Sequence, residues 1–485
     1  MNYRMVVFVL GRIFLVEAAM LLLPMTCSAI YGEWYMLPAF LLPAVILLLL
    51  GLAASLRTPK NTTIYARDGL AIVALVWVLM SAFAALPFVI SGEIPAFADA
   101  FFEMVSGFTT TGSTILNDVE ALSRGALFWR SFSHWVGGMG VLVFAMAVLP
   151  MTDGRAMHLM RAEVPGPTCG KLSSKLSDSA KILYGIYFAM TALEVALLCA
   201  GGMSLYDSLI HSFGTAGTGG FSNRALSIGA YHSPYFEWVI GIFMLLFGVN
   251  FNLYYFILMR HFREAFGSEE LRAYLGIVLF STVTIAANIL SMAGSVGEAV
   301  RTAFFQVSSI ITTTGYGTTD FNLWPTYSRI LLLLLMFVGG CAGSTAGGLK
   351  ISRVIIFFKA ARQDLNKMLH THAVTAIRFE GKPLDEKTLQ GVHNYFNVYM
   401  LLIMLSTVLV SLDGFDLTTT FTAVITCINN VGPGMELVGP MGNFSQFSAP
   451  VKYLLSFDML AGRLELYPML AMFAPRLWRR RRTMR

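Results

Sequence analysis

Thr313-Thr314-Gly315-Tyr316-Gly317 follows a short apolar segment and precedes a long one. Three further runs stand in the same setting: Thr110-Thr111-Gly112-Ser113-Thr114, Thr218-Gly219-Gly220-Phe221-Ser222 and Asn430-Val431-Gly432-Pro433-Gly434. One such run is a weak signal. Four in one chain are a strong one, because a pore on an axis needs four similar walls. Rings of carbonyl oxygens replace the water shell of a bare cation, which requires extended backbone aimed at the axis. Glycine adopts such conformations at little steric cost. The four runs therefore read as the walls of a cation selectivity filter.

An ungapped alignment on Gly112, Gly220, Gly315 and Gly432 extends the likeness. These glycines lie 108, 95 and 117 residues apart, room in each unit for helix, pore helix, filter and helix. Two residues earlier stand Thr110, Thr218, Thr313 and Asn430, all small and polar. Six earlier stand Ser106, Gly214, Ser309 and Thr426, all small. Eleven earlier stand the bulky Phe101, Leu209, Phe304 and Phe421, and twelve earlier the small Ala100, Ser208, Ala303 and Thr420. Such a repeat dictates the architecture. Small residues also suit close helix packing, but packing does not require the shared register. In the second run Gly219-Gly220 leaves the frame open by one residue, and the register favours Gly220. Only the third run ends in tyrosine and glycine. The ring is thus uneven, and a potassium preference less strict than in a symmetric channel is expected. The Thr or Asn two residues before each glycine can add a side-chain oxygen or tie the loop to its pore helix.

Of the 485 residues, 56% are hydrophobic and 13% charged, against about 25% charged in soluble domains. So much apolar surface marks a polytopic membrane protein, and apolar runs of about 20 residues, enough to span a bilayer, recur along the chain. The first run is too long for a signal-peptide core and lacks a small-residue cleavage pattern, so it reads as a retained helix. The pattern predicts ten crossings, at about 6–30, 36–56, 68–91, 126–150, 181–201, 233–259, 273–293, 326–358, 393–412 and 448–475. The four shorter apolar segments that end at the glycine runs read as re-entrant pore helices, because non-helical backbone at membrane depth must line a cavity or be buried in protein. The expected fold is an all-α polytopic membrane protein: four pseudo-repeated helix–pore helix–helix units around one pore, plus two extra N-terminal helices. The divisions are 1–60 for the N-terminal pair, then 61–150, 151–265, 266–370 and 371–485 for the four units, the third with a broken inner helix and the last with a basic tail.

Charge sets the orientation. Of 34 Lys and Arg residues, 27 fall on the N-terminus, alternate loops and the C-terminal tail. The positive-inside rule then places both termini in the cytoplasm and opens the glycine runs to the outside. Glu93, Asp118, Glu120, Asp320, Asp413, Asp416 and Glu436 lie near the mouths. They read either as a negative vestibule that concentrates cations or as ordinary loop charge. The net charge of +6 reflects topology and not nucleic-acid binding. Arg479-Arg480-Arg481-Arg482 reads as a topogenic anchor or a contact with anionic membrane lipid. Cys27, Cys169, Cys199, Cys341 and Cys427 are scattered and read as small apolar helix residues. His134, His211 and His232 read as unpartnered structural residues. No HExxH or nucleophile cluster supports an enzyme. Glu17 and Glu194 are isolated acids within spans, suited to helix packing or proton transfer.

The crossing after the third run is unusual. Gly339-Gly340-Cys341-Ala342-Gly343-Ser344-Thr345-Ala346-Gly347-Gly348 places five glycines in ten residues, each about 1 kcal/mol worse than alanine in a helix. An intramembrane loop between two half-helices is expected, with a tightly packed GxxxG helix as the alternative. It is no phosphate loop, because Leu349 stands where lysine is needed and Lys350 comes one place late. Arg463 falls within the last crossing, where a charge is functional by default. It either pairs with Asp458 or Glu465, or sits on the conduction path, repelling cations or bonding the carbonyls of loop 339–348. On the second reading, Arg463→Ala raises cation flux.

The four-unit plan, the runs TTGST, TGGFS, TTGYG and NVGPG, the loop GGCAGSTAGGLK and the span LLSFDMLAGRLELYPML together resemble the Trk/Ktr/HKT superfamily of potassium transporters across essentially the whole chain. The extra N-terminal pair points to the bacterial TrkH type, since KtrB-type proteins resemble the four-unit part alone. The resemblance implies potassium uptake at a bacterial inner membrane, with K+ as transported ion and no organic cofactor. It implies homodimers with one pore per protomer and a cytoplasmic nucleotide-binding partner of the TrkA type that opens the pore. It assigns K+ filter positions to Thr110, Thr111, Gly112, Ser113, Thr218, Gly219, Gly220, Phe221, Thr313, Thr314, Gly315, Tyr316, Asn430, Val431, Gly432 and Pro433. It assigns the gate to Gly339, Gly340, Gly343, Ser344, Thr345, Gly347, Gly348 and Arg463, with Lys350 at its cytoplasmic end. A secondary transporter of another solute would show inverted repeats, which the parallel register disfavours. The potassium-binding subunit of a P-type pump shares the four-fold plan, and the extra helix pair disfavours it.

Overall fold

The computed structural model describes residues 1–57, 59–61, 64–140, 176–370 and 376–478. The expected tail at 479–482, Cys169 and the end of the fourth expected crossing, 141–150, lie outside these. Among the described residues six helices are long and apolar enough to cross a membrane, and one bent pair makes a seventh. The regular structure of the described residues is helical save one short hairpin, β1 (Arg378–Phe379) with β2 (Lys382–Pro383).

Four copies of one pattern follow the N-terminal pair. Each has a leading helix, a pore helix and a return helix. The leading helices are Ala66–Ser91, Leu176–Ala200, Glu269–Ile289 and Glu386–Val410. The pore helices are Phe97–Phe108, Leu205–Gly217, Val296–Ile311 and Leu417–Asn429. The return helices begin at Arg124, Pro234, Thr326 and Ala449. The last three pore helices start on a side chain that accepts an otherwise orphaned amide, Ser204 from Asp207, Ser295 from Glu298 and Asp416 from Thr419, as N-caps do. The repeat register has its physical reason in burial. The small residues twelve before the glycine (Ala100, Ser208, Ala303, Thr420) are buried, and the bulky ones eleven before it are only half-buried.

The return helices differ from four straight crossings. The first is described as Arg124–Gly138. The second bends by 92° between Pro234–Phe247 and Phe251–Leu258. The third breaks between Thr326–Val338 and Ile351–Leu369, which bears out the loop read from its glycines. The fourth stops at Arg463 and restarts as Tyr467–Ala471 after Glu465 and Leu466 take φ of 62°. Arg463 is therefore the last residue of a helix facing a break, not the middle of a span.

The N-terminal pair, Tyr3–Ile30 and Met36–Ser55, crosses where Gly11 and Gly51 let the backbones meet. A Cβ on Gly11 would stand 2.6 Å from the Ala54 Cβ, and one on Gly51 2.9 Å from the Gly11 carbonyl. The pair docks on the first unit. Glu33 accepts the Arg124 and Gly125 amides at 2.7 and 3.0 Å, capping the first return helix. Its neighbour Glu93, held by the Ser123 amide at 3.1 Å and the Tyr35 hydroxyl at 3.3 Å, has its carboxyl pushed up by burial.

Candidate ion pathway

All four pore helices end the same way. The amides of Thr110, Thr218, Thr313 and Asn430 reach back three residues, to Gly107, Thr215, Ile310 and Cys427, at 3.0–3.3 Å. The next amides, of Thr111, Gly219, Thr314 and Val431, reach back five residues to Ser106, Gly214, Ser309 and Thr426 at 2.8–2.9 Å. This is a Schellman closure, whose pivot residue is left-handed and usually glycine. Here φ is 56°, 57°, 56° and 55° at Thr110, Thr218, Thr313 and Asn430. A β-branched residue in that region is an outlier, and such strain, about 1–3 kcal/mol each, gathers at functional sites.

The following glycines turn left-handed again: Gly112 at 81°, Gly220 at 75°, Gly315 at 83° and Gly432 at 98°. Each abuts a carbonyl of the next unit. A Cβ on Gly112 would lie 2.0 Å from the Gly219 oxygen, one on Gly220 2.0 Å from that of Thr314, one on Gly315 2.3 Å from that of Val431, and one on Gly432 2.8 Å from that of Thr111. The four contacts close a ring in the order one, two, three, four, one. The ring uses Gly220, the frame the register favoured. Any side chain at these glycines would strike a neighbouring wall.

Above the ring, a cavity of about 160 Å³ is lined by all four runs, including Gly112, Ser113, Gly220, Gly315, Gly432 and Pro433. The outer acids do not line it. Glu120 pairs with Arg224 and Glu436 with Arg329. Asp413 accepts from Ser448, Asp320 from the Asn322 amide and Asp416 from the Thr419 amide. These acids tie loops and cap helices, which favours the second of their two readings. The field at the ring comes instead from its carbonyls and from four pore-helix C-termini, each carrying about half a negative charge.

Side chains around the ring brace it. Thr109 and Thr111 share a hydrogen bond between their hydroxyls at 2.8 Å, as do Thr312 and Thr314. The Asn430 side-chain Nδ2 donates to Thr111 Oγ1 at 2.9 Å and to the Met459 carbonyl at 3.0 Å. Thr110 Oγ1 and Asn430 Oδ1 are buried without a protein partner, two spare oxygens beside the ring. Ser113 donates to the Gly432 carbonyl across units at 3.1 Å. Tyr316 and Phe221 use their side chains as struts. The Tyr316 hydroxyl donates to the His211 carbonyl at 2.9 Å and fills the space that makes Gly214 a glycine.

Three residues that the sequence left idle work here. His134 accepts the Phe221 amide on Nε2 at 3.3 Å, so Nδ1 carries the proton it donates to the Gly107 carbonyl at 2.7 Å. His211 bonds the Asp207 carbonyl and the Ser222 hydroxyl at 2.8 and 3.0 Å. Both were read as unpartnered, and both join filter loops to pore helices. Arg130, 1% exposed, pairs with buried Glu103 at 2.7 Å and lies 3.9 Å over the Phe221 ring. Glu103 also takes the Thr114 hydroxyl and the Ile115 amide. Opposite charges on a pore helix and its return helix, in a chain this poor in charge, are the signal in the sequence that could have revealed this pair.

Below the ring, loop 339–350 crosses between the units. Its positive-φ glycines are Gly339, Gly343 and Gly348, and Lys350 also takes 72°. The Gly347 amide donates to Thr313 Oγ1 at 2.7 Å and the Gly348 amide to the Asn429 carbonyl at 3.1 Å. Thr345 Oγ1 donates to the Phe247 carbonyl at 3.2 Å, and Ser344 Oγ to the Cys341 carbonyl at 2.6 Å. Gly340 packs on Ala346, and buried Lys350 donates to the Ala346 carbonyl. Arg463 donates to the Thr345 carbonyl at 2.8 Å and to the Gly137 and Gly138 carbonyls at 2.5 Å. It thus clamps the loop to the end of the first return helix. Asp458 instead accepts from Ser406, and Glu465 pairs with Arg353. Among the described residues no group of His, Cys, Asp and Glu has metal-site geometry, and Cys27, Cys199, Cys341 and Cys427 are free thiols.

Four pore-helix units closed on one axis inside a helical membrane protein define a transport protein of the pore type. The chain belongs to the TrkH family, cation transport proteins, which matches residues 37–480. It is 38% identical over 420 residues to the Trk system potassium uptake protein TrkH of Escherichia coli strain K12, covering 85% of this chain and 86% of that one. It is 33% identical over 484 residues to the Trk system potassium uptake protein TrkG of the same strain, covering 99% of each. The crystal structure of the potassium transporter TrkH from Vibrio parahaemolyticus matches with a TM-score of 0.88 at 30% identity, over 99% of this chain and 100% of that one.

Proposed function

We propose that this chain is the potassium-translocating subunit of a Trk-type uptake system. The observation that carries the proposal is the closed ring in which each filter glycine abuts a carbonyl of the next unit. A bare monovalent cation on that axis meets backbone oxygens from four walls in place of water. Uneven braces around the ring support a potassium preference looser than four identical walls would give. Relatives named as potassium uptake proteins and a potassium transporter support K+ as the ion carried.

Loop 339–348 acts as the gate. It lies beneath the ring, is bonded to the second, third and fourth units, and is tied to the first through Arg463. A cytoplasmic nucleotide-binding partner of the TrkA type opens it, and the protein works as a homodimer in a bacterial inner membrane. The distribution of Lys and Arg supports cytoplasmic termini,. The test is growth at low potassium of cells that lack their own uptake systems. Expression with the partner restores growth if the proposal holds. No growth, with the protein present in the membrane, overturns it.

A further inference from the structure

A continuous chain of hydrogen bonds joins the cytoplasmic hairpin to the intramembrane loop. β1 and β2 pair across the two-residue turn Glu380-Gly381. Both turn residues have positive φ, 50° and 73°, the pattern of a type I′ turn, which favours asparagine, aspartate and glycine. Glutamate there is strained, and an observed outlier of this kind is a reason to look for a role. Its side chain supplies one. Glu380 Oε1 accepts from the Ser268 hydroxyl at 2.8 Å and from the Glu270 amide at 3.0 Å.

Glu270 stands in the first turn of the third leading helix and is 5% exposed. Its Oε1 accepts the Ala342 amide at 2.8 Å and the Ser352 amide at 2.9 Å. Ala342 lies in the loop and Ser352 in the first turn of the half-helix that follows, so one carboxylate oxygen holds both. Lys359 ties the same corner a second time. It lies on that half-helix, pairs with Glu269 and donates to the Arg378 carbonyl at 2.8 Å. The tip of the hairpin is open, since a Cβ on Gly381 would meet nothing within 4 Å, and Lys382 and Pro383 are exposed.

We propose that the hairpin is a latch on the loop, with Glu380 and Glu270 as its positioning residues. While Glu380 holds the head of the leading helix, Glu270 holds the loop across the pathway. This rests on the reading of loop 339–348 as a gate.

The test uses the purified full-length protein in liposomes without a partner, with rubidium as tracer and Cys341 as an internal reporter. Cys341 lies in the loop and is 1% exposed, so its labelling by a thiol reagent, located by mass spectrometry, reports loop opening. Glu380→Gly removes the side chain while leaving a residue that the turn prefers. Glu270→Ala removes the acceptor, and Glu270→Gln keeps an acceptor oxygen and serves as the conservative rescue. A lost hydrogen bond to a charged group shifts a two-state equilibrium about tenfold. E380G and E270A should each raise tracer flux and Cys341 labelling by about that factor, with E270Q near wild type and the potassium-to-sodium ratio unchanged. Arg463→Ala separates the two readings. If R463A raises flux while E380G and E270A leave flux and labelling at or below wild type, the latch is overturned and the gate stands. If R463A also leaves flux unchanged, both are overturned.

Discussion

Gly220→Ala tests the ring at the position where the sequence left a choice. The residue sits at φ 75°, and an added Cβ would lie 2.0 Å from the Thr314 oxygen. An L-residue in the left-handed region costs about 1–2 kcal/mol. Ordinary C···O contacts are about 3.3–3.6 Å, so the Thr314 carbonyl must retreat by more than 1 Å. It is not free to do so. Its amide is bonded to Ser309 at 2.8 Å and its hydroxyl to Thr312 at 2.8 Å, and breaking one such bond adds about 1 kcal/mol. The total of about 3 kcal/mol corresponds to a factor of roughly 10² in the population of the intact ring. The assay is tracer uptake in liposomes with potassium and sodium in competition. G220A should lose most potassium flux and most of its preference over sodium. In Gly219→Ala the added Cβ points at the His134 ring, 2.4 Å away, behind the filter. That variant should lose thermal stability before selectivity. Wild-type potassium flux and selectivity in G220A, at normal abundance, would refute the ring.

Arg130→Ala strands Glu103 in the interior, and breaking a buried pair costs about 3–5 kcal/mol; a large drop in melting temperature in detergent is expected. Thr313→Val keeps the shape of the residue but removes the acceptor of the Gly347 amide. Flux should change while the potassium-to-sodium ratio holds, and a lowered ratio would show that the hydroxyl serves the filter instead. Asp416 caps the fourth pore helix, and hydrogen bonding from Thr419, whose amide donates at 3.0 Å, holds its carboxyl below the usual range. A lowered folded value means the cap's contribution is complete above the unfolded value, about 3.9, and is lost as pH falls through the folded one. The stability difference between wild type and Asp416→Ala, measured by thermal unfolding, should stay constant from neutral pH to about pH 5 and vanish in stronger acid.

The ring and the loop were legible because their chemistry is local. A left-handed residue pressed against a foreign carbonyl must be glycine, so Gly112, Gly220, Gly315 and Gly432 announce themselves at a fixed offset from small pore-helix residues. Five glycines in ten likewise reveal the break at 339–348. The other breaks carry no such mark. The second return helix turns at Gly248-Val249-Asn250 between two apolar halves that read as one span. The fourth turns on Glu465 and Leu466, neither a residue that favours positive φ. Histidine roles were hidden for a different reason. His134 meets Phe221, 87 residues away, and such a partner becomes visible only when the units are assembled. The outer acids stayed undecided because sequence shows a charge near a mouth but not the amide or arginine that meets it.

Two contacts at the ring bear on how the protein is made. Ser113 reaches the Gly432 carbonyl and Asn430 reaches Thr111, each pair 319 residues apart. During synthesis, chains fold from the N-terminus onward. The first three walls are therefore in the bilayer well before the fourth leaves the ribosome. Until then the outward carbonyls of the first unit have no neighbour on one side, and the axis is an open groove and not a conduit. The last membrane segment to be inserted both completes the filter and delivers Arg463 to the loop below it. The closed ring and the contact of Arg463 with the loop thus arrive together, and a chain cut before the fourth unit carries neither.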